Sequence, residues 1–221
     1  MNRLPLQLPL APFPGRFARA QLCALDHPDR SRVETFIAAI YRERFGAQFD
    51  EFFPHLVAYY DVDDNLLAAV GLRCGREGRL FVEHYLDEPI EHALSHNGLA
   101  HVARDRIAEA GNFAARTPGI ARELILQLAW LLWGVGMDWV AFVATRQLRN
   151  AFHRLHLAPV ELAIAQAERL GERGLHWGSY YDTQPKVMCG NLLHGIDFLR
   201  GRASPPVPAA ELQRCCAGSE A

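Results

Sequence analysis

Residues 116 to 121 read Arg-Thr-Pro-Gly-Ile-Ala and open a long, largely apolar stretch that runs to Gly136. The start of a helix leaves backbone N–H groups without partners and carries a partial positive charge, so it attracts phosphate oxygens. Gly119 lets a ligand come close to the backbone, Ala121 continues that clearance into the first turn, and Pro118 sets the chain direction. The hexapeptide therefore suits a loop that holds a pyrophosphate. The plainer alternative is a turn that starts a buried helix, and spacing alone leaves both open. Other constellations are weaker. His92 and His96 stand four apart on one face of a helical stretch with His101 nearby, but no further ligand has diagnostic metal spacing, so no metal is expected. Ser179 lacks a GxSxG elbow, and there is no Walker loop or GxGxxG, which argues against a serine hydrolase, nucleotide hydrolysis and dinucleotide binding.

The rest of the chain must position that loop. Its 221 residues suffice for one domain with a substantial core, and half of them are hydrophobic. A formal net charge of -2 supplies no basic field to gather phosphate backbones, so nucleic acid is not expected as a partner. Cys23, Cys74, Cys189, Cys215 and Cys216 are odd in number and lack CxxC spacing. They suggest neither a disulfide framework nor a zinc knuckle, and a reducing, cytoplasmic setting fits them. Pro5, Pro9, Pro12 and Pro14 interrupt the early leucines, so residues 1–30 read as an extended arm rather than a signal peptide. The apolar run Leu124 to Met137 contains Gln127 and falls short of the roughly 20 residues needed to span a bilayer. It reads as a buried core helix. Residues 201–221, rich in proline and small residues, read as a flexible tail.

Between these ends the pattern alternates. Ser31 and Glu34 have capping-box spacing before Val33, Phe36, Ile37, Ile40 and Tyr41, with Gly46 as the stop of a first helix. Strands are expected at His55–Tyr60 and Leu66–Cys74, joined by a hairpin turn Asp61 to Asn65, then at Leu80–Glu83. A helical stretch from Pro89 to Leu99 precedes a strand from Arg106 to Ala115. The order then becomes the Gly119 loop, the long helix, a strand Trp139–Thr145, a helix Gln147–His156 and a strand Pro159–Ala165. Such alternation requires crossovers and some parallel pairing, an α/β mixed sheet flanked by helices over residues 31–200.

Arg-x-x-Gly-x-Ala between a strand and a long helix, followed by Trp139 to Thr145 and Ala151 to Leu157, resembles the acyl-CoA-binding core of the GNAT N-acyltransferases. The upstream half, with Asp61 to Asn65, Gly71-Leu72-Arg73, Pro89 and Ile107 to Ala114, looks like the acyl-homoserine-lactone synthase branch. More narrowly, Phe81 to Asp87 with Pro89-Ile90-Glu91, Glu109-x-Gly111-Asn112, Leu148-Arg149-Asn150 and Trp177 to Asp182 resemble the thermostable hemolysin family. The resemblance covers about residues 31 to 190 and implies a GNAT-like fold with a central mixed, splayed sheet. It implies an acyl-CoA or phosphopantetheine-bound acyl donor, with acyl-carrier protein as a candidate partner, and a small amine acceptor such as an amino acid. The family's name also keeps a membrane-lytic protein in view, and a catalytically inactive binding module on the same fold is a third reading.

Acyl transfer from a thioester needs an uncharged amine, a stabilised oxyanion and often an acid for the leaving thiolate. In the GNAT pattern the strand before the phosphate loop polarises the carbonyl, here the Gly111 to Ala115 region, with Asn112, Phe113 and Ala114 as donor-binding residues. Arg116, Gly119, Ile120 and Ala121 would hold the carrier's phosphates. Glu109 is the first choice for general base; its alternative is an edge-strand carboxylate paired with Arg104 or Arg106. Glu83 would grip a cationic amine, or else ends a strand in solvent. Phe152 stands where many GNAT members place an acidic tyrosine. Tyr180, Tyr181 and His153 are the candidate replacements, and the two tyrosines serve equally well as packing residues. Arg149 and Asn150 either contact carrier phosphates or cap and solvate their helix.

Overall fold

A computed structural model describes residues 7–48, 50–97 and 102–200 of the chain. Strands β1 (Gln7–Leu8) and β2 (Arg19–Cys23) precede helix α1 (Arg30–Phe45). The hairpin β3 (His55–Tyr60) and β4 (Leu66–Cys74), 3-10 turns at Gly75–Glu77 and Phe81–His84, and α2 (Ile90–His96) follow. After β5 (Ile107–Ala115) come α3 (Pro118–Gly134), β6 (Trp139–Ala144), α4 (Arg146–Arg154) and β7 (Val160–Ile164). A 3-10 winding segment Ala167–Thr183, β8 (Lys186–Asn191) and α5 (Leu192–Arg200) close the described chain.

The eight strands form one sheet in the order β1-β2-β3-β4-β5-β6-β8-β7. Every pairing is antiparallel except β5 with β6, and α3 supplies the crossover that a parallel pair demands. Alternation along the strands sets the faces. Val57, Tyr59, Val70, Ala108 and Ala110 pack toward α3, while Leu56, Ala58, Tyr60, Ala69 and Ala114 pack toward α1. The β5–β6 ladder stops at Ala110 opposite Phe142, although β5 continues to Ala115 against β4 and β6 continues to Ala144 against β8. The sheet therefore divides into two wings that diverge beyond Ala110.

A register shift between Ala69 and Gly71 accompanies the divergence, and Asn112 takes a left-handed φ of 46°. Asparagine tolerates this better than most residues. Here its side chain is also tied, Oδ1 accepting the Phe53 N–H at 2.9 Å.

Several local expectations change in three dimensions. Leu80–Glu83 does not extend as a strand: Phe81–His84 is a 3-10 turn whose start is closed by the Glu83 carboxylate accepting the Leu80 N–H. The capping box at Ser31 does not form, because α1 begins at Arg30 and Glu34 bonds the Arg30 guanidinium instead. The stop at Gly46 is as expected, with φ 68° and its N–H donated to Arg42. In the Asp61–Asn65 turn, Asp61 Oδ1 accepts the N–H groups of Asp63 and Asn65.

Within the arm read as extended, β1 and β2 join the sheet at β3, which leaves β3 paired on both sides. The buried Gln127 of α3 accepts the Ala11 N–H at 2.7 Å, fastening this segment across the helix. Beyond Ile164, β8 and α5 have no counterpart among the sequence expectations. His101, the end of the Pro89–Leu99 stretch and the tail 201–221 lie outside the described residues.

Candidate active site

The divergence of β5 and β6 opens a cavity of about 500 Å³ that reaches both faces of the sheet. On the α3 side its walls are Ile125, Leu128, Ala129, Phe142, Leu148 and Phe152, an apolar chamber in which Phe142 and Phe152 stack at 4.8 Å. On the α1 side the wall is aromatic and partly charged, with Phe53, Phe81, Tyr85, Trp177 and Tyr180 around Arg73 and Glu109. One chamber suits a hydrocarbon chain and the other a polar group with apolar surroundings.

Phe53 lies over the β4–β5 ladder on the face that carries Arg73 and Glu109. A Cβ on Gly111 would lie 2.5 Å from its ring, and one on Gly71 would lie 2.8 Å from its Cβ, so both glycines are there to admit the ring. Its backbone is held from two directions: Asn112 takes the N–H, and the buried Arg30 guanidinium donates to the carbonyls of Phe53 and Pro54.

Glu109 lies on a central strand, 1% exposed, within the cavity wall. Its oxygens accept the N–H groups of Phe81 at 2.7 Å and Val82 at 2.8 Å. Burial pushes the carboxyl up to about 7, while those two donors and the Arg73 charge pull it partly back. The alternative of an edge carboxylate paired with Arg104 or Arg106 does not hold. Arg104 binds Glu83 and Glu91, and Arg106 binds Asp138.

Glu83 is neither a solvated strand end nor part of the cavity wall. At 6% exposure it takes a forked bond from Arg104 and the N–H groups of Leu80 and Ile90. Burial raises its pKa, but these bonds more than offset that and hold the carboxyl below its ordinary range. The pair fixes the 3-10 turn from which Phe81 and Val82 address Glu109.

Tyr180 lines the cavity and packs among Tyr41, Phe45 and Trp177, and burial drives its phenol well above the usual value. The Tyr181 hydroxyl lies 2.6 Å from that of Tyr85, and burial pushes Tyr181 up to about 12. Asn112 and Phe113 line the cavity, and the Phe113 N–H donates to the Tyr41 hydroxyl oxygen. Ala114 is buried against α1, and the next carbonyl, Ala115, accepts a bond from Arg44.

The loop 116–121 begins α3 at the open end of the divergence but does not line the cavity. The Arg116 guanidinium turns back to the Leu66 carbonyl and lies over Phe36. Thr117 caps the helix, its Oγ1 accepting from Ile120 at 3.5 Å and its carbonyl from Ala121 at 3.0 Å. Over Gly119 stands Arg16, held by Glu123. Arg149 is engaged by the carbonyls of Ala144 and Gln184, while Asn150 and His153 are exposed on α4. Among the described residues no cluster of three His, Cys, Asp or Glu could hold a metal ion, and no helix is long and apolar enough to cross a membrane.

Sequence reasoning missed most of the aromatic wall. Phe52, Phe53, Phe81, Tyr85 and Trp177 come from three separated segments, and no spacing signal links them.

A mixed sheet split between a parallel pair, with the crossover helix beginning at the split, defines a GNAT-like fold. The chain is similar to FeeM, an N-acyl amino acid synthase from uncultured soil microbes, at 14% identity over 84% of this chain and 97% of that one, with a TM-score of 0.56. It is similar to the AHL synthase LasI at 11% identity, over 78% and 89% of the two chains, with a TM-score of 0.53. A third likeness is to BjaI, a CoA-dependent acyl-homoserine lactone synthase solved with SAM and isopentyl-CoA, at 11% identity over 88% and 98%, with a TM-score of 0.51. At such identities the likeness is one of fold. Residues 23–196 match the family model for thermostable hemolysin, and the chain belongs to that family. A comparison with curated protein sequences finds no match.

Proposed function

We propose that the protein is an N-acyltransferase that moves an acyl group from a phosphopantetheine thioester, on CoA or on acyl-carrier protein, to the amine of a small molecule such as an amino acid. The observation that carries this reading is Glu109, a buried carboxylate raised to about 7, in the wall of a cavity that joins an apolar chamber to an aromatic one through the split sheet. The acyl chain occupies the chamber under α3, and the acceptor enters beside Glu109.

In this reading Glu109 takes the proton as the amine nitrogen bonds to the thioester carbon. The developing oxyanion meets the β5 backbone in the stretch Asn112, Phe113 and Ala114, where β6 no longer pairs and where the Phe113 N–H must leave Tyr41 to serve it, and the C–S bond then breaks. The leaving thiolate takes up the proton held by Glu109 or one from solvent; Tyr180, and Tyr181 with Tyr85, are candidate donors only where the bound acyl carrier offsets the burial that makes these phenols weak acids. The carrier's phosphates lie at the start of α3 beside Gly119, with Asn150 of α4 as a further contact; the Ile120 and Ala121 N–H groups are taken by Thr117, and Arg116 and Arg149 reach the phosphates only by leaving their carbonyl partners. Arg16 over Gly119 adds a cation there once the phosphates displace its bond to Glu123. Glu83 acts through the 3-10 turn that positions Glu109 and does not meet the amine itself. The buried thiols of Cys23 and Cys189 fit a reducing, cytoplasmic setting.

A mass-spectrometric screen of acyl-CoA and acyl-carrier-protein donors against a panel of amines tests the reading. An amide product from at least one donor is the expected result. No product and no binding of any donor at millimolar concentration would defeat it.

A further inference from the structure

Arg73 forms a cross-strand pair with Glu109, so the two side chains leave β4 and β5 side by side on the same face of the sheet. Both line the aromatic chamber. Arg73 is held by Phe53, whose ring centroid lies 5.0 Å from its guanidinium carbon, and by a bond from Nη1 to the Arg79 carbonyl at 3.2 Å. Arg104 and Arg173 near the same wall are paired to Glu83 and Glu51. Arg73, by contrast, forms no ion pair among the described residues. A guanidinium with a fork of donors directed at a cavity is suited to a planar carboxylate. Beside it, Glu109 offers acceptor lone pairs beyond those used by Phe81 and Val82. Adjacent positions on paired strands are separated by about 5 Å, a spacing that a single small zwitterion spans with its carboxylate on one group and its amine on the other.

We propose that the acceptor is an α-amino acid with an apolar side chain, its carboxylate held by Arg73, its amine presented to Glu109 and its side chain packed against Phe81 and Trp177. Arg73 is then the residue that selects an amino acid over a simple amine. The inference rests on the acyltransferase reading, which places the donor's acyl chain on the opposite face.

Calorimetric binding of N-decanoyl-L-leucine and N-decanoyl-L-leucinamide tests it without requiring turnover. The two ligands fill both chambers and differ only in the carboxylate. The wild-type protein binds the acid at least about tenfold more tightly than the amide, the worth of one charge-assisted contact. R73Q brings the acid to the level of the amide and leaves the amide unchanged, and R73K recovers part of the preference. Equal binding of the two ligands by the wild type overturns the assignment while leaving acyl transfer standing. An acid preference that survives in R73Q removes Arg73 from it. Failure of both ligands to bind overturns this inference and leaves the acyltransferase reading to the donor screen. Should R73Q fail to fold, the wild-type ratio and the R73K ratio decide the question.

Discussion

Glu109 accepts the backbone N–H of Val82 at 2.8 Å, which couples a buried carboxylate on the central strand to a 3-10 turn 27 residues earlier in the chain. The turn in turn depends on Glu83 and Arg104, so Glu109 is positioned by an ion pair that does not itself line the cavity.

In the proposed mechanism turnover requires the ionised form of Glu109, whose carboxyl burial raises to about 7. Values of kcat/KM measured from pH 5.5 to 8.5 should therefore rise through about 7 and level off. E109Q should lower turnover by about 10² or more, with acyl-donor binding retained. An unchanged rate in E109Q removes the residue from the mechanism.

The same carboxyl makes stability depend on pH. Its folded value lies above its ordinary value of 4.5, so between 4.5 and about 7 the folded state binds more protons than the unfolded one. Stability from this group is complete below about pH 4.5 and is lost as pH rises to about 7, by about 3 kcal/mol. Urea denaturation at several pH values should show this fall in the wild type, and E109Q should flatten it.

Removing Arg104 leaves Glu83 buried without its counter-charge. R104M should cost about 3–5 kcal/mol in chemical denaturation. Because the Phe81–His84 turn loosens, turnover should also fall. R104K should recover only part of either loss, since lysine lacks the fork. A fully stable R104M would show that the pair is not what fixes the turn.

Gly111 is without a side chain so that Phe53 can lie against β5. G111A should destabilise the protein by about 1–3 kcal/mol through overpacking. Removing the ring relieves the clash, so F53A combined with G111A should cost less than the sum of the single changes. Additive costs in the double-mutant cycle would show that the ring and the glycine do not interact.

On the opposite face, Ala129 of α3 lines the apolar chamber. If the acyl chain lies there as proposed, A129F should shift the preference to shorter chains, raising the ratio of short-chain to long-chain product in competition by tenfold or more, and leave the acceptor preference unchanged. An unaltered chain-length profile would place the acyl group elsewhere.

What the sequence determined by itself was largely local. The apolar periodicities of β3, β4, β5 and α3 and the stop at Gly46 are fixed by neighbours within a few residues, and the structure shows them close to where the pattern put them. Glu109 was singled out on the strand before the α3 loop. Its backbone partners were not legible, because the turn at 81–84 takes its shape from Arg104, which lies about twenty residues away in the chain. Leu80–Glu83 looked like a strand for the same reason: composition cannot register a carboxylate folding back on its own N-cap. Only tertiary structure decided that Phe53 fills the space above two glycines, that Arg73 stands beside Glu109 with no ion-pair partner among the described residues, and that two chambers meet where β5 and β6 part. These relations join segments far apart in sequence through packing and buried charge, and neither leaves a periodic trace along the chain.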